Sequence, residues 1–128
     1  MKWYAAHIIM YVKFRVHTQN AYPIWENVVL VHAETTNEAW EKAVIFGRQE
    51  EGDSQGTFTW DEKPAMWMFG GVRKLMECER SLDQHGENGE SNALGEGSEI
   101  TYSQFEVESE EALTKLIQGE PVTIYYEK

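Results

Sequence analysis

Cysteine is almost absent from this chain, and acidic residues outnumber basic ones two to one. The one cysteine, Cys78, rules out a disulfide within the chain, fits a reducing compartment and leaves no Cys/His set with zinc-finger spacing. With 11 Lys and Arg against 22 Asp and Glu, the formal net charge is −11. Such a field repels nucleic acid and anionic membranes, so a partner found by electrostatics would be basic. The alternative is that the acidic charge only confers solubility, and composition does not distinguish this from a role in binding a basic partner.

Long apolar runs are absent as well, since no run approaches the roughly 20 residues of a membrane span. The first apolar run ends at Val12 and has the length of a signal-peptide core. However, His7 interrupts it, Lys13 and Arg15 continue its alternation, and no small-x-small cleavage site follows. We therefore expect a cytoplasmic protein with a single domain, residues 1–128, that buries roughly two thirds of its unfolded surface.

The stretch from Pro64 to Glu79 is the longest apolar run without helical spacing. It predicts a central strand with a bulge at its Gly70–Gly71 pair. Between Trp3 and His17 the alternate residues form one apolar set and one mixed set, which predicts a long strand. Its mixed face is apolar enough that we expect another part of the chain, or a second copy, to cover it. Further strands are predicted at residues 25–33, 57–60, 100–107 and 122–127.

Two helices are predicted from their caps. Thr35–Glu38 fits a capping box, and Ser109 followed by two glutamates fits the start of a second helix. The stripe expected to be buried on the first helix contains Ala39, Trp40, Ala43, Val44 and Phe46 or Gly47. We therefore predict an α+β fold, an antiparallel sheet of five to six strands with two helices packed on one face. The order strand, strand, helix, strand occurs twice, which leaves open a duplication of a ββαβ unit.

The segment 80–99 is rich in Gly, Asn, Ser and Glu, which predicts a mobile acidic loop. Asp83, His85 and Glu87 alternate as in a calcium loop. Asn88 stands where that loop needs glycine, and no bidentate acid follows in register. The pattern therefore favours a loop without bound metal.

Charged residues within apolar strands are the strongest indication of a site. Glu26 stands among aliphatic residues, and Arg73 follows the glycine bulge. Because buried charges are normally paired, we predict that the two line one pocket, with His7 or His32 as further members. The alternative is that each points to solvent at a strand margin.

Aromatic residues supply the other candidates. Trp25 and Trp40 fit core positions, whereas three other tryptophans and a tyrosine on the mixed face of the first strand remain as candidate binding surface. The complete set of predicted binding residues is Trp3, His7, Tyr11, Glu26, Trp60, Trp67 and Arg73.

No catalytic motif stands out in the sequence. Cys78 is flanked by Glu77 and Glu79, which raise the pKa of a thiol and so disfavour a nucleophile. A nucleophile elbow, a phosphate loop and a dinucleotide fingerprint are all missing. His32 and Glu34 share a strand face but supply only two metal ligands. We predict no catalytic residue, no metal and no cofactor, and the balance is against an enzyme.

Several motifs resemble an uncharacterised bacterial family of small single-domain proteins, a domain of unknown function. The resemblance covers most of the chain apart from residues 80–99 and implies one whole small domain without an assigned active site. The residues that carry it are Trp3-Tyr4-Ala5-Ala6, Trp25-Glu26-Asn27-Val28-Val29-Leu30, Glu38-Ala39-Trp40-Glu41-Lys42-Ala43, Gly71-Val72-Arg73-Lys74-Leu75 and Gly119-Glu120-Pro121-Val122.

Two functions follow from these observations. The first is a non-catalytic protein-interaction module, regulatory or immunity-like, that binds a basic protein and forms a homodimer or small homo-oligomer. We expect neither nucleic acid nor membrane as a partner. The alternative is a small-molecule-binding protein or enzyme with a pocket between sheet and helices. The shape of the surface distinguishes these two functions. A pocket in which Glu26 and Arg73 converge would favour a small ligand, whereas a flat sheet face with Trp3 and Tyr11 exposed would favour a protein partner.

Overall fold

The computed structural model describes residues 1–16, 18–78 and 95–126. Within them the chain forms six strands in one antiparallel sheet and two helices, which confirms the predicted α+β class. The elements are, in chain order, β1 (Lys2–Phe14), β2 (Tyr22–Ala33), α1 (Thr36–Gln49), β3 (Thr59–Trp60), β4 (Lys63–Glu77), β5 (Glu99–Val107), α2 (Glu110–Ile117) and β6 (Tyr125–Tyr126).

The sheet has the order β3-β4-β1-β2-β5-β6. β1 and β2 form its centre, because β1 pairs along most of its length with both β2 and β4. The stretch predicted to be central, Pro64–Glu79, instead contains β4, which lies second from one edge. The element order ββαβ does occur twice, but β4 pairs with β1 and β5 pairs with β2. The two halves therefore differ in strand pairing although their element order repeats.

Bulges in β4 shape its contact with α2. The register between β1 and β4 shifts twice, and the extra residues on β4 are Gly70 and Arg73. A Cβ on Gly70 would lie 2.9 Å from Cδ1 of Ile117, and one on Gly71 would lie 2.8 Å from its Cγ2. The side chain of Ile117 thus packs directly against the backbone of Gly70 and Gly71, where a Cβ would not fit. The register shift at Gly70 confirms the predicted bulge.

The two helices cover opposite faces of the sheet, which corrects the prediction that both pack on one face. α1 packs on the face that carries Ile8 and Met10 of β1, which we call the α1 face. α2 packs on the face that carries Ile9 of β1, Ile24 of β2 and Phe105 of β5, which we call the α2 face. Alternation could not assign the helices to sides, because both sets of β1 residues are apolar enough to be buried.

α1 lies close to the sheet because its buried positions are small, namely Ala39, Ala43 and Gly47. Oγ1 of Thr35 accepts a hydrogen bond from the backbone N of Glu38 at 3.1 Å, as the capping box predicts. Trp40, expected in the buried stripe, is 43% exposed. The narrow ridge of alanine and glycine contacts the sheet, and a bulky ring beside that ridge is left on the solvent side.

α2 is short but well capped. Oγ of Ser109 accepts from the backbone N of Ala112 at 3.0 Å, and Leu113 and Leu116 are buried against the α2 face. Gly119, with φ of +78°, follows the helix in the left-handed conformation that suits a helix end. Among the described residues, neither helix is long and apolar enough to cross a membrane.

Residues 80–94 of the predicted mobile loop, including Asp83, His85 and Glu87, lie outside the described residues. The rest of that segment forms a turn and the start of β5. The backbone N of Gly97 donates to the carbonyl of Leu30 at 2.8 Å, and the carbonyl of Ser98 accepts from the N of Leu30 at 2.9 Å. This turn therefore leads the chain onto the outer side of β2.

Candidate functional site

A cavity of about 380 Å³ lies between the α2 face and the C-terminal end of α2. We call it the α2 pocket. Its polar lining comes from three strands, β2, β4 and β5, through Glu26, Arg73 and Ser103. Its apolar walls are Phe105, Leu116, Pro121, Val122, Ile124 and Tyr126. The pocket thus places opposite charges from the sheet beside apolar side chains of α2 and of the segment that follows it.

Glu26 is held by His7 rather than by Arg73. Nδ1 of His7 lies 2.8 Å from Oε2 of Glu26, and the two side chains are 21% and 20% exposed. Strand register explains the contact, because Glu26 pairs with Ile9 and His7 lies two residues away on the same face of β1. A carboxylate only accepts, so Nδ1 carries the proton in this contact.

Arg73 is fixed by the end of α2. The bulge in β4 turns its side chain under the helix, where Nη1 donates to the carbonyl of Leu116. Cationic groups are stabilising at helix C-termini, where carbonyls have no partner within the helix. Among the described residues, Arg73 makes no ion pair with a carboxylate, and it shares the pocket lining with Glu26. The predicted proximity of Glu26 and Arg73 is therefore seen, while a binding role for either stays a prediction.

The two aromatic residues predicted on the mixed face of β1 are not exposed. Trp3 is buried, and its ring stacks on His32 with centroids 4.4 Å apart. Tyr11 is half-buried and meets the ring of Tyr22 edge-on at 6.2 Å. Burial raises the pKa of Tyr11, followed by repulsion from Tyr22, Glu110 and Glu51. The chain itself thus covers both rings, which is one of the two coverings predicted for this face, the other being a second copy.

Trp60 and Trp67 lie together on the α1 face, on the opposite side of the sheet from Glu26. Both meet Trp25 edge-on, with centroids 5.4 Å and 4.8 Å from its ring. We call the three rings the tryptophan cluster. Trp25 contacts both of the other rings. Strand periodicity had assigned it to the core and not to the candidate binding surface. Edge-to-face packing at these distances is typical of structural aromatic clusters.

A second cavity, of about 410 Å³, opens beside the C-terminal end of α1. Its deep wall is apolar, from Ile8, Met10, Val29 and Phe46, and its rim carries Asn27, Gln49, Glu50 and Glu99. Both charged groups at this rim are exposed carboxylates. The α2 pocket differs because it combines an acid with a guanidinium that makes no ion pair within the described residues.

The surroundings of Cys78 disfavour its thiolate form. Burial raises the pKa of the thiol, and Glu77 raises it further. The direction agrees with the effect expected from the flanking acids, although burial is the larger cause. Within the described ranges, no group of three or more His, Cys, Asp or Glu residues is placed to hold a metal ion.

The edge of the sheet at β5 is the most exposed part of any long strand. Five consecutive residues, Glu99–Ser103, are exposed, and β6 pairs only with Phe105 and Glu106. In the described part of the chain, the outer side of Glu99–Ser103 has no neighbouring strand. We call this segment the β5 edge. The sequence predicted the strand but could not show that it lies at the border of the sheet.

Together, fold and site define a small α+β domain with a two-sided antiparallel sheet, a charged pocket under its second helix and an open strand edge. The chain belongs to the family described as a domain of unknown function, DUF4288, whose profile matches residues 3–101. No curated protein and no solved structure matches the chain. The family match includes His7, Glu26 and Arg73 and ends before α2 begins at Glu110.

Proposed function

We propose that this cytoplasmic domain is a non-catalytic protein-interaction module that binds an extended basic segment of another protein along the β5 edge. The observation that carries the proposal is the run of five exposed residues, Glu99–Ser103, at the border of a well-packed sheet. A regulatory or immunity-like role, in which the domain neutralises a basic partner, fits this mode of binding.

The β5 edge offers both backbone and side-chain contacts. An edge strand presents unpaired N–H and C=O groups, which an added strand can satisfy with main-chain hydrogen bonds. Ile100 is 41% exposed and Tyr102 is 57% exposed, so the edge carries apolar area in addition to these groups. Natural edge strands usually avoid such exposure with lysine, proline or a covering loop. Exposed apolar residues here therefore support a binding role.

Charge supports a basic segment as the occupant. Glu99 begins the edge, Glu106 lies three residues beyond it, and the whole chain has a formal charge of −11. A basic strand would gain from this field in its rate of association and in specificity. A second copy of this chain would bring a second acidic edge against the first. Homodimer or small oligomer formation is therefore the competing occupancy, and the experiment below separates the two.

Selection from a library of random ten-residue peptides tests the proposal. We expect selected peptides to alternate apolar and basic residues and to slow amide hydrogen exchange at 99–103. The double variant Glu99→Lys/Glu106→Lys should weaken their binding about tenfold or more, since attraction at two sites becomes repulsion. Glu41→Lys, on the exposed side of α1, is the matched control and should leave affinity within about twofold.

Three results would contradict this function. Selected peptides that are acidic, or that protect amides elsewhere, would remove the edge as the site. Equal affinity for the double variant would remove the charge argument. A dimer seen by light scattering, with amides 99–103 already protected without peptide, would assign the edge to a second copy.

A further inference from the structure

We infer that the α2 pocket binds a free α-amino acid with an apolar side chain. The ligand's carboxylate would bind Arg73, its ammonium group would bind Glu26, and its side chain would lie against the wall from α2. This site shares Ser103 with the β5 edge but lies on the α2 face, and it does not depend on the proposed interaction function.

The size of the pocket is the first argument. Its volume of about 380 Å³ is at the lower end of the range typical of small-molecule sites, roughly 300–1,000 Å³. α2 and residues 121–124 cover part of this space, and the exposed side chains of Ser103 and Tyr126 leave it partly open to solvent. A volume of this size holds one small molecule rather than a macromolecular segment.

Arg73 provides the carboxylate subsite. One of its N–H groups is used by the carbonyl of Leu116, which fixes the guanidinium at the pocket wall. Its other donors have no acceptor among the described residues. A planar guanidinium binds carboxylates through two parallel hydrogen bonds, and a half-buried one without a counter-ion is incompletely satisfied. An incoming carboxylate would supply both the missing charge and the missing acceptors.

Glu26 provides the ammonium subsite. His7 occupies Oε2, which fixes the carboxylate and leaves Oε1 as an acceptor. Ser103 pairs directly with Glu26 across β2 and β5 and also lines the pocket, so its hydroxyl is a second acceptor. Glu26 and Arg73 form no ion pair with each other although both line the same pocket, as the described contacts show. A ligand that carries an ammonium group and a carboxylate on one carbon can pair with each of them at once.

The remaining lining selects an apolar side chain. Phe105, Leu116, Val122 and Ile124 form most of the apolar lining of the pocket. Burial of a branched or aromatic side chain there removes apolar area from water, while a charged side chain would find no described partner in that lining. Leucine-like and phenylalanine-like amino acids are therefore expected to bind better than glycine or glutamate.

Calorimetric titration of the full chain tests this inference, with L-leucine and L-phenylalanine as probes. Two truncated analogues separate the subsites: 4-methylpentanoic acid lacks the ammonium group of leucine, and 3-methylbutylamine lacks its carboxylate. We expect each analogue to bind at least about tenfold more weakly than leucine, since each loses a charge-assisted hydrogen bond. Glycine should also bind at least about tenfold more weakly, because the wall is left unfilled.

Two variants and a control locate the site on the chain. Glu26→Gln keeps the size of the side chain and an acceptor for His7 but removes the charge, so leucine affinity should fall about tenfold or more. Arg73→Lys keeps the charge but loses the paired donors, so affinity should again fall. Glu41→Gln removes a carboxylate far from the pocket and should leave affinity within about twofold. Circular dichroism confirms that each variant is folded before titration.

Defined outcomes would overturn the inference. These are no heat or chemical-shift change with either amino acid up to about 10 mM, equal binding of 4-methylpentanoic acid and leucine, or unchanged leucine affinity in Glu26→Gln. Tight binding of the amine alone would assign the pocket to cationic ligands instead. None of these results changes the peptide experiment at the β5 edge, so the two proposals can fail separately.

Discussion

Gly47 of α1 lies directly against the ring of Phe69 of β4, and a Cβ at position 47 would overlap the ring atoms Cδ1 and Cε1. The helix approaches the sheet this closely only because position 47 has no side chain. The ring itself is held in place, since the guanidinium of Arg48 lies 5.7 Å from its centroid and the backbone N of Phe69 donates to Glu51 at 3.1 Å. This contact sets the distance between α1 and the face that carries the tryptophan cluster.

Replacement Gly47→Ala should therefore destabilise the domain. Alanine would contribute about 1 kcal/mol to an unconstrained helix, but displacing a packed ring costs about 1–3 kcal/mol, so we expect a net loss of about 1 kcal/mol. Urea unfolding measures the change. Gly52→Ala is the control, because a Cβ there meets no atom within 4 Å, and its effect should stay below about 0.5 kcal/mol. Equal or greater stability of Gly47→Ala would show that the helix can move away from the sheet.

The tryptophan cluster should contribute to stability mainly through Trp25. Trp25→Ala removes both edge-to-face contacts, to Trp60 and to Trp67, and should cost about 2–4 kcal/mol for a half-buried ring. Trp40→Ala removes a ring of the same size from the exposed side of α1, and its cost should stay within about 1 kcal/mol. Thermal or urea unfolding of the two variants gives the comparison directly. Similar costs for both would mean that the cluster is not a structural centre.

Periodicity predicted the elements of this fold but not the side of the sheet on which each helix lies. The caps at Thr35 and Ser109 were predictable because capping depends on residues within three or four positions of each other. The path from β2 through α1 to β4, and from β5 into α2, depends on contacts between segments distant in sequence. Gly47 gave no indication of its neighbour Phe69, because nothing in the local pattern specifies which strand a helix will meet.

In the candidate site, too, the residues could be predicted from the sequence but their contacts could not. Glu26 and Arg73 could be selected from the sequence because a charge within an apolar strand needs a partner. Their actual partners, His7 and the carbonyl of Leu116, follow from strand register and from a bulge, neither of which one sequence specifies. Ser103 was missed because a serine in an exposed strand is unremarkable until the pairing with Glu26 is known. The β5 edge was missed for a related reason, since strand order is a property of the whole sheet.

Cys78 should react slowly with alkylating reagents at neutral pH. The raised pKa of its thiol means that the rate of reaction with iodoacetamide, followed by mass spectrometry, should reach half its maximum above the ordinary thiol value of 9.0. Glu77→Gln removes the lesser cause and should move the midpoint down only slightly, because burial remains. A midpoint at or below the ordinary value would contradict the structure around Cys78.

Stability should fall at alkaline pH, with Tyr11 as a principal cause. Its pKa is raised above the ordinary value of 10.0, first by burial and then by Tyr22, Glu110 and Glu51. The folded protein therefore holds this proton more tightly than the unfolded chain does. The corresponding stability is fully present below pH 10 and is lost as pH rises through the folded-state pKa, because the unfolded chain forms tyrosinate first.

Urea unfolding of the wild type and of Tyr11→Phe across this pH range measures the effect. The unfolding free energy of the wild type minus that of Tyr11→Phe should be constant from neutral pH to about pH 9. It should then decrease, because only the wild type has the Tyr11 proton to lose. Tyr22→Phe removes the second cause but leaves burial, so tyrosinate absorbance should show the pKa of Tyr11 lower than in the wild type and still raised. If the same free-energy difference instead increases with pH, the hydroxyl of Tyr11 ionises more easily in the folded state than in the unfolded chain. That result would contradict the burial of Tyr11 beside Tyr22.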